Sequence, residues 1–79
     1  MKTYILVFKN QQEAYNTLIE NGFGYISPSF GPIVMTTTIN EYNLKEIKTP
    51  DSYLVQIDFV TDMKDDVKTN LKVYIKEEV

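Results

Sequence analysis

Residues Asn10 to Gly22 spell out both ends of a helix directly after an apolar strand, and that pairing limits what the chain can fold into. Asn10 has the short polar side chain of an N-cap, and Glu13 stands three residues on, as a capping box requires. Ala14, Tyr15, Leu18 and Ile19 then line one stripe of a helix. Gly22 falls where a helix ends in a left-handed residue. The spacing predicts a helix over Gln11–Asn21. Before it, Thr3–Lys9 (TYILVFK) is β-branched and aromatic, with apolar side chains on both faces. That predicts a central strand covered on both sides or nearly so.

From Asn21 to Asn40 the sequence NGFGYISPSFGPIVMTTTIN has no charged residue. Its glycines and prolines predict a short strand near Phe23–Ser27, a turn around Pro28–Pro32 and a strand from Ile33 to Ile39. In the second strand Ile33, Met35, Thr37 and Ile39 share one face, and Val34, Thr36, Thr38 and Asn40 the other. Glu41–Ser52 is charged and contains Pro50, which reads as a loop with room for a helical turn around Tyr42–Ile47. Tyr53–Val60 is a second strand, with Tyr53, Val55, Ile57 and Phe59 alternating against Leu54, Gln56, Asp58 and Val60. The tail has two readings. One is a single helix capped by Asp62 with Met63, Val67, Leu71, Tyr74 and Ile75 as its stripe. The preferred one is a short helix over Met63–Asn70 and a strand through Leu71, Val73 and Ile75.

These elements predict a single α+β domain over residues 1–79: a two-layer sandwich, its sheet antiparallel or mixed, with helices on one face. A ferredoxin-like β-α-β-β-α-β order is the leading topology, with one further strand to place.

Composition narrows function more than it narrows fold. The chain of 79 residues has no His, Cys, Arg or Trp, and all eight basic residues are Lys. The missing types usually carry nucleophilic, acid–base, metal or bidentate phosphate chemistry. Ser27, Ser29 and Ser52 have no His to activate them. Asp62, Asp65 and Asp66 read as residues that favour a helix start, and Asp58 shares a solvated face with Gln56. Neither a calcium loop nor a phosphate-binding glycine motif is present; Gly22-x-Gly24 follows a helix and enters a strand. The expectation is no enzyme, no metal and no cofactor.

A net charge of −3 disfavours an electrostatic nucleic-acid binder. Phe23, Tyr25, Tyr53 and Phe59 could still stack bases on a sheet, so a single-stranded nucleic-acid platform stays as an alternative. No apolar run reaches 18 residues, and the six or so apolar residues near the start are too few for a signal peptide. No membrane association is expected, and a cytoplasmic location is. Lys, Asn, Ile, Tyr and Phe, all with AT-rich codons, make up 32 of the 79 residues, which points to a low-GC bacterium or its phage.

The uncharged segment is the remaining candidate site, with Phe23, Tyr25, Phe30, Ile33 and Met35 as its protein-binding residues. It reads either as a hairpin buried under helices or as an exposed recognition surface, since interface cores are poor in charge and rich in Tyr, Phe and Met. Phe30, flanked by Ser29 and Gly31, is the anchor such a surface would use. The leading reading is a small non-catalytic protein-binding module, of the kind a phage or mobile element carries to inhibit or adapt a host protein. The first alternative is a ligand-binding regulatory or subunit domain that forms a homodimer through sheet edges. A small enzyme using only carboxylates, Tyr and Lys comes last.

Overall fold

A computed structural model describes residues 2–38 and 41–79. Along the chain lie β1 (Lys2–Phe8), α1 (Gln11–Glu20), β2 (Gly24–Ser27), β3 (Gly31–Val34), β4 (Thr37–Thr38), β5 (Tyr42–Lys48), β6 (Tyr53–Phe59), α2 (Asp65–Leu71) and β7 (Ile75–Glu78). Five strands form one sheet in the order β4-β5-β6-β1-β7, and β2 with β3 forms a separate two-stranded sheet. Every pairing is antiparallel.

The local signals around α1 hold. Asn10 accepts a hydrogen bond from the Glu13 amide at 2.9 Å, and the Glu13 carboxylate accepts one from the Lys9 amide at 3.0 Å. Gly22 has φ of 89°, in the left-handed region where glycine carries no Cβ penalty.

The large sheet buries one face. The pairs Tyr4–Ile57, Leu6–Val55 and Phe8–Tyr53 place apolar side chains opposite one another on β1 and β6, and all six are buried. Tyr42 and Leu44 of β5 extend the same face. Each fully buried aliphatic or aromatic side chain contributes roughly 1.5–3 kcal/mol. The opposite face of β1 and β6 (Thr3, Ile5, Val7, Leu54, Gln56, Asp58) stays partly exposed, so β1 is covered on one side only.

The expected two-layer α+β sandwich, with helices on one sheet face, is not what forms, and neither is the ferredoxin-like order. The protein is mostly sheet. A β-α-β crossover would set β2 parallel to β1, but β1 pairs with β6 and β7, and after α1 the chain turns back on itself as the β2–β3 hairpin. The helices are too short to make a layer: α2 has seven residues, of which only Leu71 is buried. The buried face is covered instead by a patchwork of Ala14 and Leu18 from α1, Phe23 before β2, Met63 between β6 and α2, and Leu71.

Three local expectations also change. Glu41–Ser52 is mainly strand β5, which pairs with β6 from Tyr42–Phe59 to Lys48–Tyr53. The strand expected over Ile33–Ile39 breaks at Met35 and Thr36 into β3 and β4; Ile39 and Asn40 lie outside the described residues. In the tail, helix plus strand is correct, but Leu71 ends the helix, Val73 lies in a turn, and the strand starts at Ile75. Lys64 occupies the N-cap of α2, and Asp62 instead accepts a hydrogen bond from the buried Tyr4 hydroxyl. Among the described residues no helix is long and apolar enough to cross a membrane.

Candidate functional site

The hairpin is built from its closing turn outward. Ser27 pairs with Gly31 across a three-residue loop, Pro28–Phe30. Gly31 has φ of 78°, the left-handed position that ends such a loop. The Ser27 hydroxyl oxygen accepts hydrogen bonds from the amides of Ser29 at 3.3 Å and Phe30 at 3.2 Å. The tip is therefore ordered by its own side chain, and Phe30 stands on it 84% exposed.

The other end is anchored. Phe23 accepts a backbone bond from Met35 at 2.8 Å, and its own amide donates to Leu18 at 2.9 Å. The Tyr42 hydroxyl donates to the Met35 carbonyl at 2.8 Å. Gly24 closes the hairpin onto α1: a Cβ there would lie 2.1 Å from the Ile33 carbonyl oxygen and 3.1 Å from Ile19 Cγ1. Only glycine lets the two strands of the hairpin approach this closely at that point.

Between anchor and tip both faces of the hairpin are apolar and open. Tyr25 lies opposite Ile33 on one face, and Ile26 opposite Pro32 on the other. Tyr25 is 51% exposed and Ile26 64%. Of the five residues expected to form the site, Tyr25, Phe30 and Met35 are exposed and Ile33 is half-exposed. Phe23 is not part of the surface. It is buried against Tyr42 and Phe59, with ring centroids 5.1 and 6.1 Å away. Ile26 belongs to the surface and was not expected there; Gly24 and Pro32, the small and rigid residues on its face, were the available signal.

Beside the hairpin base runs an open groove of about 310 Å³, walled by Phe23, Tyr42, Phe59 and Met63, with Glu41, Asp62 and Lys64 as its charged lining. Hydrogen bonding from Tyr4 holds the Asp62 carboxyl below its usual range, and the Met63 amide and Lys68 act in the same direction. Lys68 lies 3.4 Å from Asp62 and 5.6 Å from the centre of the Tyr4 ring. The neighbouring Tyr4 and pairing with Asp62 raise the Lys68 ammonium. Burial, then Asp62, pushes the Tyr4 hydroxyl up. Each group is stabilised in its ordinary protonation state, the opposite of tuning for proton transfer near neutral pH.

The sheet aromatics Tyr4, Phe8, Tyr42, Tyr53 and Phe59 are all buried. The open face of the large sheet thus presents no described aromatic on which a base could stack. Among the described residues there is no group of three Asp or Glu side chains placed to hold a metal ion. No protein-family model, curated protein or solved structure matches the chain.

Proposed function

We propose that the chain is a small non-catalytic protein-binding module whose contact surface is the outer part of the β2–β3 hairpin. The observation that carries this reading is the exposure of Phe30, Ile26 and Tyr25 on a hairpin held at both ends. Large exposed apolar side chains in a charge-free patch fit the centre of a protein interface. A rigid tip loses little conformational freedom on binding, which favours affinity. Phe30 is the anchor, with Tyr25, Ile26, Ile33 and Met35 around it. Phe23 supports the hairpin from within the core. The absence of His, Cys and Arg supports a role without catalysis. A cytoplasmic protein of phage or mobile-element origin that inhibits or adapts a host protein fits the size and the codon bias.

The test is affinity capture from the source cell with the wild-type chain and an Ile26→Ser/Phe30→Ser double variant. The double variant should keep the wild-type circular dichroism and melting temperature and lose a partner that the wild type retains. Equal retention of every partner by both proteins refutes the surface.

A further inference from the structure

The large sheet has a second surface, on the side away from α1 and the hairpin, and its side chains are arranged in rows. One row across the sheet is Ile47–Leu54–Val7. The next is Lys45–Gln56–Ile5–Glu77. The third is Asn43–Asp58–Thr3, in which Asp58 accepts from the Thr3 hydroxyl at 2.8 Å and from the Gln56 amide at 3.2 Å. The charges of the middle row are at opposite ends: Lys45 on β5 and Glu77 on β7, three strand spacings or about 14 Å apart. They are too far apart to pair within one chain.

We infer that this face docks against the same face of a second copy of the chain. The charge order determines how. A two-fold axis running along the strands, midway between β6 and β1, lays each row on its own counterpart in reverse. Lys45 then meets Glu77 of the second copy, and the symmetry makes this pair twice. Leu54 meets Val7. An axis across the strands would instead press the apolar row onto Asp58 and Asn43, which strands a carboxylate against aliphatic groups. Facing sheets cross at about 30°, and the long side chains of Lys45 and Glu77 can span the resulting offset.

The sheet edges offer a poorer route to a dimer. β4 has two residues, β7 carries Lys76, Glu77 and Glu78, and the rest of β5 carries Lys45, Glu46 and Lys48. Short and charged edges resist strand addition. A face about 19 Å wide and 20 Å long buries on the order of 1,000 Å² over two copies, the low end for a specific interface. A micromolar dissociation constant is expected at that size.

Sedimentation equilibrium from about 5 to 500 μM tests the inference. The wild type should move from 9.2 kDa towards twice that mass. Lys45→Glu and Glu77→Lys should each weaken the dimer about tenfold by setting like charges together in two symmetric places. Glu77→Lys is the sharper of the two, because it brings the net charge closer to zero and would otherwise favour association. The combined Lys45→Glu/Glu77→Lys chain should recover the wild-type constant. Both positions are exposed, so all three variants should keep the fold intact. A wild type that stays monomeric at 500 μM overturns the inference, as does a dimer indifferent to either single change. So does a combined variant that fails to recover. Phe30→Ser should leave the dimer unchanged; its loss there would assign self-association to the hairpin and refute this face.

Discussion

The same residue types behave oppositely in the two sheets. In the large one, Tyr4, Phe8 and Ile57 are sealed from solvent; in the hairpin, Tyr25, Phe30 and Ile26 stand in it. Cross-strand pairing is regular in both, so strand formation does not account for the difference. What differs is the cover. The large sheet has α1, Phe23, Met63 and Leu71 over its apolar face, whereas the outer half of the hairpin has no comparable cover among the described residues. Hydrophobicity in the first drives folding, and in the second it stays in solvent.

Truncations on the large sheet should therefore cost most. Leu6→Ala and Ile57→Ala each remove a fully buried aliphatic side chain next to the other's strand. Each should destabilise by about 2–5 kcal/mol, measured by urea denaturation. For a domain this small, that is a large part of its total stability. A loss below about 1 kcal/mol for both would mean that the contrast between the sheets is drawn too sharply.

Next comes the joint between the two regions. Gly24→Ala puts a Cβ 2.1 Å from the Ile33 carbonyl oxygen, so β2 and β3 must part where the hairpin joins the core. We expect a loss of about 1–3 kcal/mol, with the Ile19 and Val34 resonances moving most by NMR. Asn10→Ala, at the other end of α1, removes the cap on Glu13 and should cost about 1 kcal/mol.

A smaller effect separates the large sheet from the hairpin by pH. The Tyr4 hydroxyl bond lowers the folded-state pKa of Asp62, so the associated stability is present above the ordinary carboxylate range and is lost as pH falls through the lowered value. Tyr4→Phe and Asp62→Asn should each flatten the acid limb of a melting-temperature profile below about pH 4. At the other extreme, burial followed by Glu46 pushes the Tyr53 hydroxyl up. That stability is present below pH 10.0 and is lost as pH rises beyond it. Tyr53→Phe should make the alkaline limb shallower.

How much of this was legible follows the range of the physics. The capping residues Asn10 and Glu13 and the stop at Gly22 act within a few residues, and the sequence reading of α1 was right to within one residue. Tyr53–Phe59 was equally clear because burial of every second residue leaves a period of two. β5 was hidden because only Tyr42 and Leu44 are buried, while Lys45, Glu46 and Lys48 make an edge strand look like a loop. The departure of the hairpin from the large sheet goes with β6 and β7 taking both sides of β1, contacts that no local pattern encodes. In the site itself Tyr25 and Phe30 were visible from the missing charges and the Pro/Gly punctuation. Phe23 was misplaced because it looks like a third member of the same run, although it precedes β2 and packs against Tyr42 and Phe59 in the core.

The smallest expected effect is the most informative. Phe30→Ser removes the most exposed large side chain of the hairpin, a residue 84% exposed whose backbone position is fixed by Ser27 and Gly31. Little apolar area is buried there on folding, so little stability can be lost. We expect a change within about 0.5 kcal/mol in urea denaturation, against several kcal/mol for Leu6→Ala. If Phe30→Ser instead destabilises by more than about 1.5 kcal/mol, the ring is packed in solution and the hairpin is an extension of the core. A near-zero cost leaves an exposed phenylalanine, held by an ordered turn, that folding does not require.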